Sequence, residues 1–287
     1  MKTILDYEHG LHRDVADEVY HSKVKGLASK HALDRVRRSP AHYLAWLGET
    51  EKRDTAALAF GKAFETCLLE PQRFEGTYIV EPDFGYLLKH DASGTTAEQG
   101  KANKERKRAW EAEHAGALRM TAEDYAAAMG MAHAIRQHPT ASKLLSHESF
   151  VQVTLRWKDP TTGLECKARP DLYIPDLGVI VDLKTAEDAS EQGFITASSR
   201  FGYHRQDAMY RDAMAAIGMP VEHFLFLMVE KESPHAVGVY NHCEADVERG
   251  RVSINRDLAR LAEAIETDNF GAYSDGIVTV ELRAWAA

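Results

Sequence analysis

At 287 residues, with 44% hydrophobic and 28% charged positions, the chain has an ordinary globular composition and enough length to bury a sizeable core. A formal net charge of −9 excludes a uniformly basic polyanion binder and leaves room only for one whose cations are segregated into a local track. No apolar run approaches the ~20 residues of a membrane span, the opening MKTILDYEHG lacks a signal-peptide core, and Cys67, Cys166 and Cys243 form no CxxC pair, so a cytoplasmic protein without disulfide framework, zinc site or iron–sulfur cluster is expected.

Residues 1–26 show little periodicity and read as an irregular lead-in. Ser29 is a candidate N-cap for a helix over Lys30–Arg37, and Ser39-Pro40 opens a second one over Pro40–Leu47. Between them Arg35, Arg37 and Arg38 form a basic cluster. It is either a solvated face or a phosphate grip, since the guanidinium fork suits phosphate oxygens. Thr55–Leu69 reads as a longer helix with Leu58, Phe60, Phe64, Cys67 and Leu68 on its apolar side and Pro71 as its stop. Gly61 costs about 1 kcal/mol in mid-helix, which implies close helix packing or a nearby ligand. Residues 76–120 look least ordered. Turn formers cluster at His90–Gly94, and five Lys or Arg fall between Lys101 and Arg108. That stretch is either a solvated helix or an arm over DNA, with Trp110 packed on the body or stacked on a base. Thr121-Ala-Glu-Asp starts a helix over Ala122–Gln137, stopped at Pro139, with Tyr125, Met129, Ala132 and Ile135 as its buried stripe.

The pattern then changes to period two. A strand begins at Phe150, Val151, Val153 and Leu155; Asp159–Gly163 is a turn; Leu164–Ile174 returns as a second strand and Gly178–Lys184 is a third. Asp182 and Lys184, two apart in Val-Asp-Leu-Lys-Thr, project from one side of their strand. Antiparallel pairing through the turn at Pro175–Gly178 brings Asp171 beside Asp182. Two carboxylates that close repel unless a cation lies between them. Hard oxygen donors favour Mg²⁺ or Mn²⁺, and Lys184 is placed to orient or help deprotonate an attacking water. Such a constellation suits metal-assisted phosphodiester hydrolysis. Glu148 and Glu165, at strand ends, are further candidates to face the metals. Gly202–Ile217 reads as a helix with Gln206 and Tyr210 on one face, Phe224–Val229 and Ala236–Tyr240 as paired strands, and 244–267 as a closing helix. The tail through Trp285 is unassigned.

Arg169-Pro170-Asp171, Asp182-Leu-Lys-Thr and Gln206-x-x-x-Tyr210 together resemble the PD-(D/E)XK nuclease superfamily, in its RecB-type branch and nearest to RecE-type nuclease domains. The likeness extends upstream through Ser39-Pro-Ala-His-Tyr and the helix from Thr55 to Pro71, and so covers about Leu27 to Ile217. It implies an α/β fold: a mixed central sheet flanked by helices, with the metal site at one edge. A single nuclease domain would span 1–287, comprising a mainly helical N-terminal region (1–145), a catalytic core (146–245) and a C-terminal helix and tail (246–287). By resemblance Asp171, Asp182 and the Leu183 carbonyl hold metal, Lys184 positions the water, and Gln206 and Tyr210 support the lysine or the DNA backbone. The family commonly has a His where this chain has Glu65. That residue is a further oxygen ligand, an exposed helix residue, or a sign of an altered second metal position. Arg35, Arg37, Arg38 and Arg169 are the expected DNA contacts. The implied activity is Mg²⁺-dependent exonucleolysis of one strand of linear duplex DNA, 5′ to 3′, in recombination or repair, with Mn²⁺ substituting. Implied partners are double-stranded DNA ends, a single-strand annealing protein and further copies of the chain in a ring-shaped homo-oligomer. The alternatives are a RecB-like or restriction-type endonuclease and a catalytically inactive DNA-binding module.

Overall fold

Short segments without periodicity of their own can be ordered by pairing with strands far along the chain, and the N-terminal lead-in is one of them. The computed structural model describes residues 2–49, 55–84, 97–274 and 276–281. Within it, β1 (Gly10–His12) lies antiparallel to residues 154–156, a one-turn helix α1 (Asp17–Tyr20) follows, and β2 (Leu27–Ala28) pairs in parallel with Glu165 and Cys166. Ile4, Val15 and Leu27 bury together beneath this segment. The irregular reading of residues 1–26 is thereby corrected.

α2 (Lys30–Arg38) and α3 (Pro40–Gly48) start at the expected caps, Ser29 Oγ accepting from the Ala32 N–H and Ser39 Oγ from the His42 N–H. Thr55 caps α4 (Ala56–Leu69), after which come α5 (Pro71–Thr77), β3 (Tyr78–Val80), α6 (Ala97–Glu113), β4 (Leu118–Met120), α7 (Ala122–Gln137) and α8 (Pro139–Leu145). β3 and β4 form a small parallel ribbon; the turn expected at His90–Gly94 lies outside the described residues. Two apolar stripes differ from expectation. α4 leaves Leu58 exposed, and α7 buries Ala128, Met131, Ala132 and Ile135 while Met129 is exposed. The reason is contact between these helices: the small Ala128 lets Cys67 of α4 approach its carbonyl, at 3.8 Å.

Next come β5 (Phe150–Val151), β6 (Thr154–Lys158), β7 (Glu165–Ala168), β8 (Leu172–Ile174) and β9 (Val179–Ala186). The two long strands expected on either side of the Asp159–Gly163 turn are each broken in two. β6 and β7 belong to a four-stranded sheet ordered β1-β6-β7-β2, whereas β5 and β8 belong to a second sheet. One break falls at Gln152, whose φ of 52° is in the left-handed region. The other falls at Pro170, which has no N–H to give a ladder. The hairpin therefore crosses from one sheet to the other at Gln152 and Asp171, where the Gln152 N–H donates to the Asp171 carbonyl at 3.0 Å.

The chain closes with α9 (Glu191–Phe201), α10 (Tyr203–Ala216), β10 (His223–Glu230), β11 (Val237–Tyr240) and α11 (Glu244–Thr267). α9 has no counterpart among the expected elements. Gly202, expected to begin the following helix, is instead the left-handed residue (φ 68°) that ends α9. The second sheet has the order β11-β10-β9-β8-β5, mixed because β9 and β10 alone run parallel. β9, which carries Asp182 and Lys184, is its middle strand. Helices cover both faces: α4 and α7 pack over Leu172, Val181 and Leu227, while α2, α10 and α11 pack over Ile180, Phe224 and Phe226. α10 is pinned from outside by the fully buried Arg205, whose guanidinium pairs with Asp257 of α11 at 2.8 Å and bonds Ser253. Cys67, Cys166 and Cys243 are unpaired, and among the described residues no helix is long and apolar enough to cross a membrane.

Two glycines make opposite predictions. A Cβ at Gly61 would meet nothing, so close packing does not explain that residue, whereas a Cβ at Gly250 of α11 would collide with the His204 carbonyl of α10. Chemical denaturation should show Gly61→Ala more stable by about 0.5–1 kcal/mol and Gly250→Ala less stable by about 1–3 kcal/mol. Equal effects of the two would contradict this packing.

Candidate active site

The site is assembled where the bent hairpin meets the middle strand. Pairing of Leu172 with Val181 ends the β8–β9 ladder, so Asp171 and Asp182 come next along it on the same side. Asp171 Oδ2 accepts from the Leu183 N–H at 2.8 Å, and its Oδ1 from the Gln152 side-chain amide at 3.3 Å. The same Gln152 amide reaches Glu65 of α4. Asp182 is buried, with Oδ1 accepting from the Gln206 amide and Oδ2 paired to Lys184 Nζ. Lys184 Nζ also lies 5.1 Å from the centre of the Tyr203 ring. Tyr210, one turn beyond Gln206, is buried against Phe224.

The electrostatics follow from crowding acids into little water. Burial, then the carboxylates of Asp171 and Asp182, push Glu65 up to about 9. Burial and the neighbouring Asp182 raise Asp171 to about 7. For Lys184 burial opposes the charge, but the carboxylates of Asp182 and Asp171 outweigh it, so its pKa lies above the ordinary value and the ammonium is favoured. The phenol of Tyr210 is pushed far up, first by burial. Glu65, Gln152, Asp171 and Tyr210 line a cleft of about 1270 Å³, with Asp182 and Lys184 behind Asp171.

Among the described residues no three His, Cys, Asp or Glu side chains converge closely enough to hold an ion. Gln152 spaces Glu65 from Asp171, and Lys184 and Gln206 occupy Asp182. The donor chemistry nonetheless fits a hard divalent cation. The acids are oxygen donors sharing one partly dry volume, and the raised pKa values of Glu65 and Asp171 register burial first and then the repulsion of neighbouring carboxylates, which a cation would relieve.

The structure thus brings together Glu65, Asp171, Asp182, Leu183, Lys184, Gln206 and Tyr210. Other expected residues stand elsewhere. Arg35, Arg37 and Arg38 sit on α2, which packs against α3, α10 and α11, and none of them lines the cleft. Arg169 does line it, but its guanidinium is spent on Asp17 (2.7 Å), the Val15 carbonyl (2.8 Å) and the Thr154 hydroxyl, tying the N-terminal segment to β6. Glu165 pairs with His9 and Arg156, and Glu148 is exposed; neither lines the cleft. The residue that sequence reasoning missed is Gln152. It sits between Val151 and Val153 in an alternating run, and nothing local marks it as the point where that run turns.

Comparison with known proteins bears on the fold and the family. The crystal structure of a "Putative exonuclease" from Eubacterium rectale superposes with a TM-score of 0.61 at 14% identity, covering 95% of this chain and 97% of that one. That likeness is one of fold. The structure of SSO0001 aligns over 57% of this chain and 71% of its own, at 15% identity, with a TM-score of 0.28, too low to indicate a shared fold. No curated protein matches the sequence. Residues 29–281 match the family described as "PDDEXK-like domain of unknown function (DUF3799)". The match spans both the helices before the sheet and the Asp171–Lys184 hairpin, and the chain belongs to that family.

Proposed function

We propose that the chain is a metal-dependent deoxyribonuclease acting on the ends of linear duplex DNA, removing one strand 5′ to 3′ with Mg²⁺, which Mn²⁺ can replace. The observation that carries this reading is the convergence of Asp171, Asp182 and Lys184 at the bend of one hairpin, under Gln206. Asp171, Asp182 and the Leu183 carbonyl, with Glu65 from α4, are the groups that would hold the cation. The cation would supply charge to the phosphate and activation to a water. Gln206 fixes the rotamer of Asp182, and Asp182 in turn positions the Lys184 ammonium. Its raised pKa favours a lysine that orients the attacking water and stabilises negative charge on the phosphate oxygens, rather than one that takes the proton. Gln152 holds Asp171 and Glu65 at a fixed spacing. The exonuclease name of the full-length structural neighbour supports end-directed action over internal cutting. In this reading the surviving 3′-ended strand passes to a single-strand annealing protein, and a ring of identical subunits would keep the duplex in place.

Lys184→Gln and Asp182→Asn should each lower cleavage of linear duplex by about 10²–10³-fold while keeping the fold by circular dichroism and DNA binding in Ca²⁺. Wild-type activity in Lys184→Gln would remove the lysine from the mechanism. A covalently closed circle should stay intact under conditions that degrade its linearised form, and a duplex labelled at one 5′ end should release the label first. Cutting of the circle would establish the endonuclease instead.

The acids also set a pH dependence. Glu65 and Asp171 have folded pKa values above their unfolded ones, so their contribution to stability is present below about pH 4 and is lost as pH rises through about 7 to 9. A bound cation displaces those protons and removes the repulsion. Mg²⁺ should therefore raise Tm more at pH 8.5 than at pH 5.5. An equal increment at both would mean that the cation binds elsewhere.

A further inference from the structure

Acids outnumber cations along this chain, 44 to 35, but one stretch reverses the balance strongly. Between Lys101 and Arg108 there are five, Lys101, Lys104, Arg106, Lys107 and Arg108, against one acid, Glu105, a local charge of +4 within a net −9. All lie on α6, a helix with no continuous apolar face; helices of that kind need outside reasons to persist. One side of α6 is anchored. Lys107 pairs with Glu81 at 2.5 Å, Glu111 with Arg119 at 2.5 Å, and Trp110 packs edge-on to Phe84 and stacks on His114. Glu81 and Arg119 themselves line the cleft that holds Asp171, so the anchors fix α6 at its rim. The remaining cations are spare: Lys101, Lys104, Arg106 and Arg108 are exposed and make no ion pair among the described residues.

We propose that α6 is a phosphate-tracking arm that holds the DNA backbone at the mouth of the cleft, an inference that rests on the nuclease reading above. At 100° per residue, Lys101, Lys104 and Arg108 fall within roughly 60° of one another, on a flank centred about 100° around the helix from the mean direction of Lys107, Trp110 and Glu111. They span about 10 Å of helix, a length over which duplex DNA presents about six phosphates. Trp110 is committed to Phe84 and His114, so this arm grips by charge and not by stacking. It takes the place expected for the α2 arginines, which lie away from the cleft. Charge complementarity selects the occupant: an isolated basic flank beside an acidic, oxygen-rich site attracts a polyanion that the rest of the surface repels.

The test is equilibrium binding of a 20-bp duplex to the full chain in Ca²⁺, from 50 to 300 mM NaCl, for wild type and for the triple variant Lys101→Ala, Lys104→Ala, Arg108→Ala. Alanine keeps the helix. A charge-matched control carries Lys143→Ala, Lys158→Ala and Arg249→Ala, three exposed cations elsewhere. The arm predicts a slope of log Kd against log [NaCl] shallower by about 2–3 in the triple variant, weaker binding by roughly tenfold or more at 150 mM, and no change in the control. An unchanged slope in the triple variant, or an equal change in the control, overturns the arm while leaving the nuclease reading intact. A wild type that binds no duplex overturns both.

Discussion

Pro170 cannot donate a backbone hydrogen bond, and much of this structure depends on that fact. A hairpin that continued its ladder through residues 169–171 would keep Asp171 inside one sheet, its side chain facing a packed layer. Because the ladder stops, the returning strand changes sheets, and Asp171 emerges at the junction with both carboxylate oxygens engaged, one by the Leu183 N–H and one by Gln152. The outgoing strand must bend at the same level, and there a non-glycine residue takes a φ of 52°. Left-handed backbone at a residue such as Gln is uncommon and is sustained only where its surroundings hold it. Here the Asp171 carbonyl takes the Gln152 N–H while its side chain ties Asp171 to Glu65. The strain is local, and the two acids it spaces are those whose protonation is most perturbed.

The acids are balanced by unequal means. Asp182, the most buried, has a lysine and an amide to itself, and removal of either would leave a charge without compensation in a dry place. Glu65 and Asp171 share the Gln152 side-chain amide, with the Leu183 N–H added for Asp171 alone, and burial among carboxylates favours their protonated forms. The asymmetry divides the labour. Asp182 and Lys184 form a fixed pair, held from behind by α10, which Arg205 clamps to α11. Glu65 and Asp171 face the cleft and are the ones whose charge state can change when something enters it.

What the sequence made legible was local. Ser29, Ser39, Thr55 and Thr121 mark helix starts because a cap bonds its own first turn, and Asp182 and Lys184 share a face because a strand alternates. Asp171 beside Asp182 needed only a short hairpin. The rest was lost where the deciding partner lies far along the chain. β1 and β2 are held by β6 and β7, about 140 residues away, so their own residues carry no period. Gln152 turns because its hairpin partner breaks at Pro170, which cannot be read from Val-Gln-Val. α9 hides behind Gly193 and the β-branched Ile195 and Thr196, poor helix formers. Gly193 is kept for a different reason: a side chain there would strike the Asp188 carbonyl. Arg169 misled because an arginine beside a motif acid suggests a phosphate, when this one is consumed by Asp17, Val15 and Thr154.

Arg169 and α6 also show why local charge counts say little about use. Both place cations beside the cleft, yet one is neutralised and buried while the other is left free. The difference lies in what each does for the fold. The Arg169 guanidinium joins a lead-in with little hydrophobic core of its own to the sheet, and it stacks on the Tyr20 ring, with 4.1 Å between them, so its charge is absorbed structurally. Among the described residues the ion pairs and ring contacts that attach α6 run through Lys107, Trp110 and Glu111, and its other cations enter no ion pair there. A chain with net charge −9 that leaves Lys101, Lys104 and Arg108 on one flank in water, without an ion pair among the described residues, accepts their mutual repulsion, and a ligand carrying dense negative charge is what would offset it.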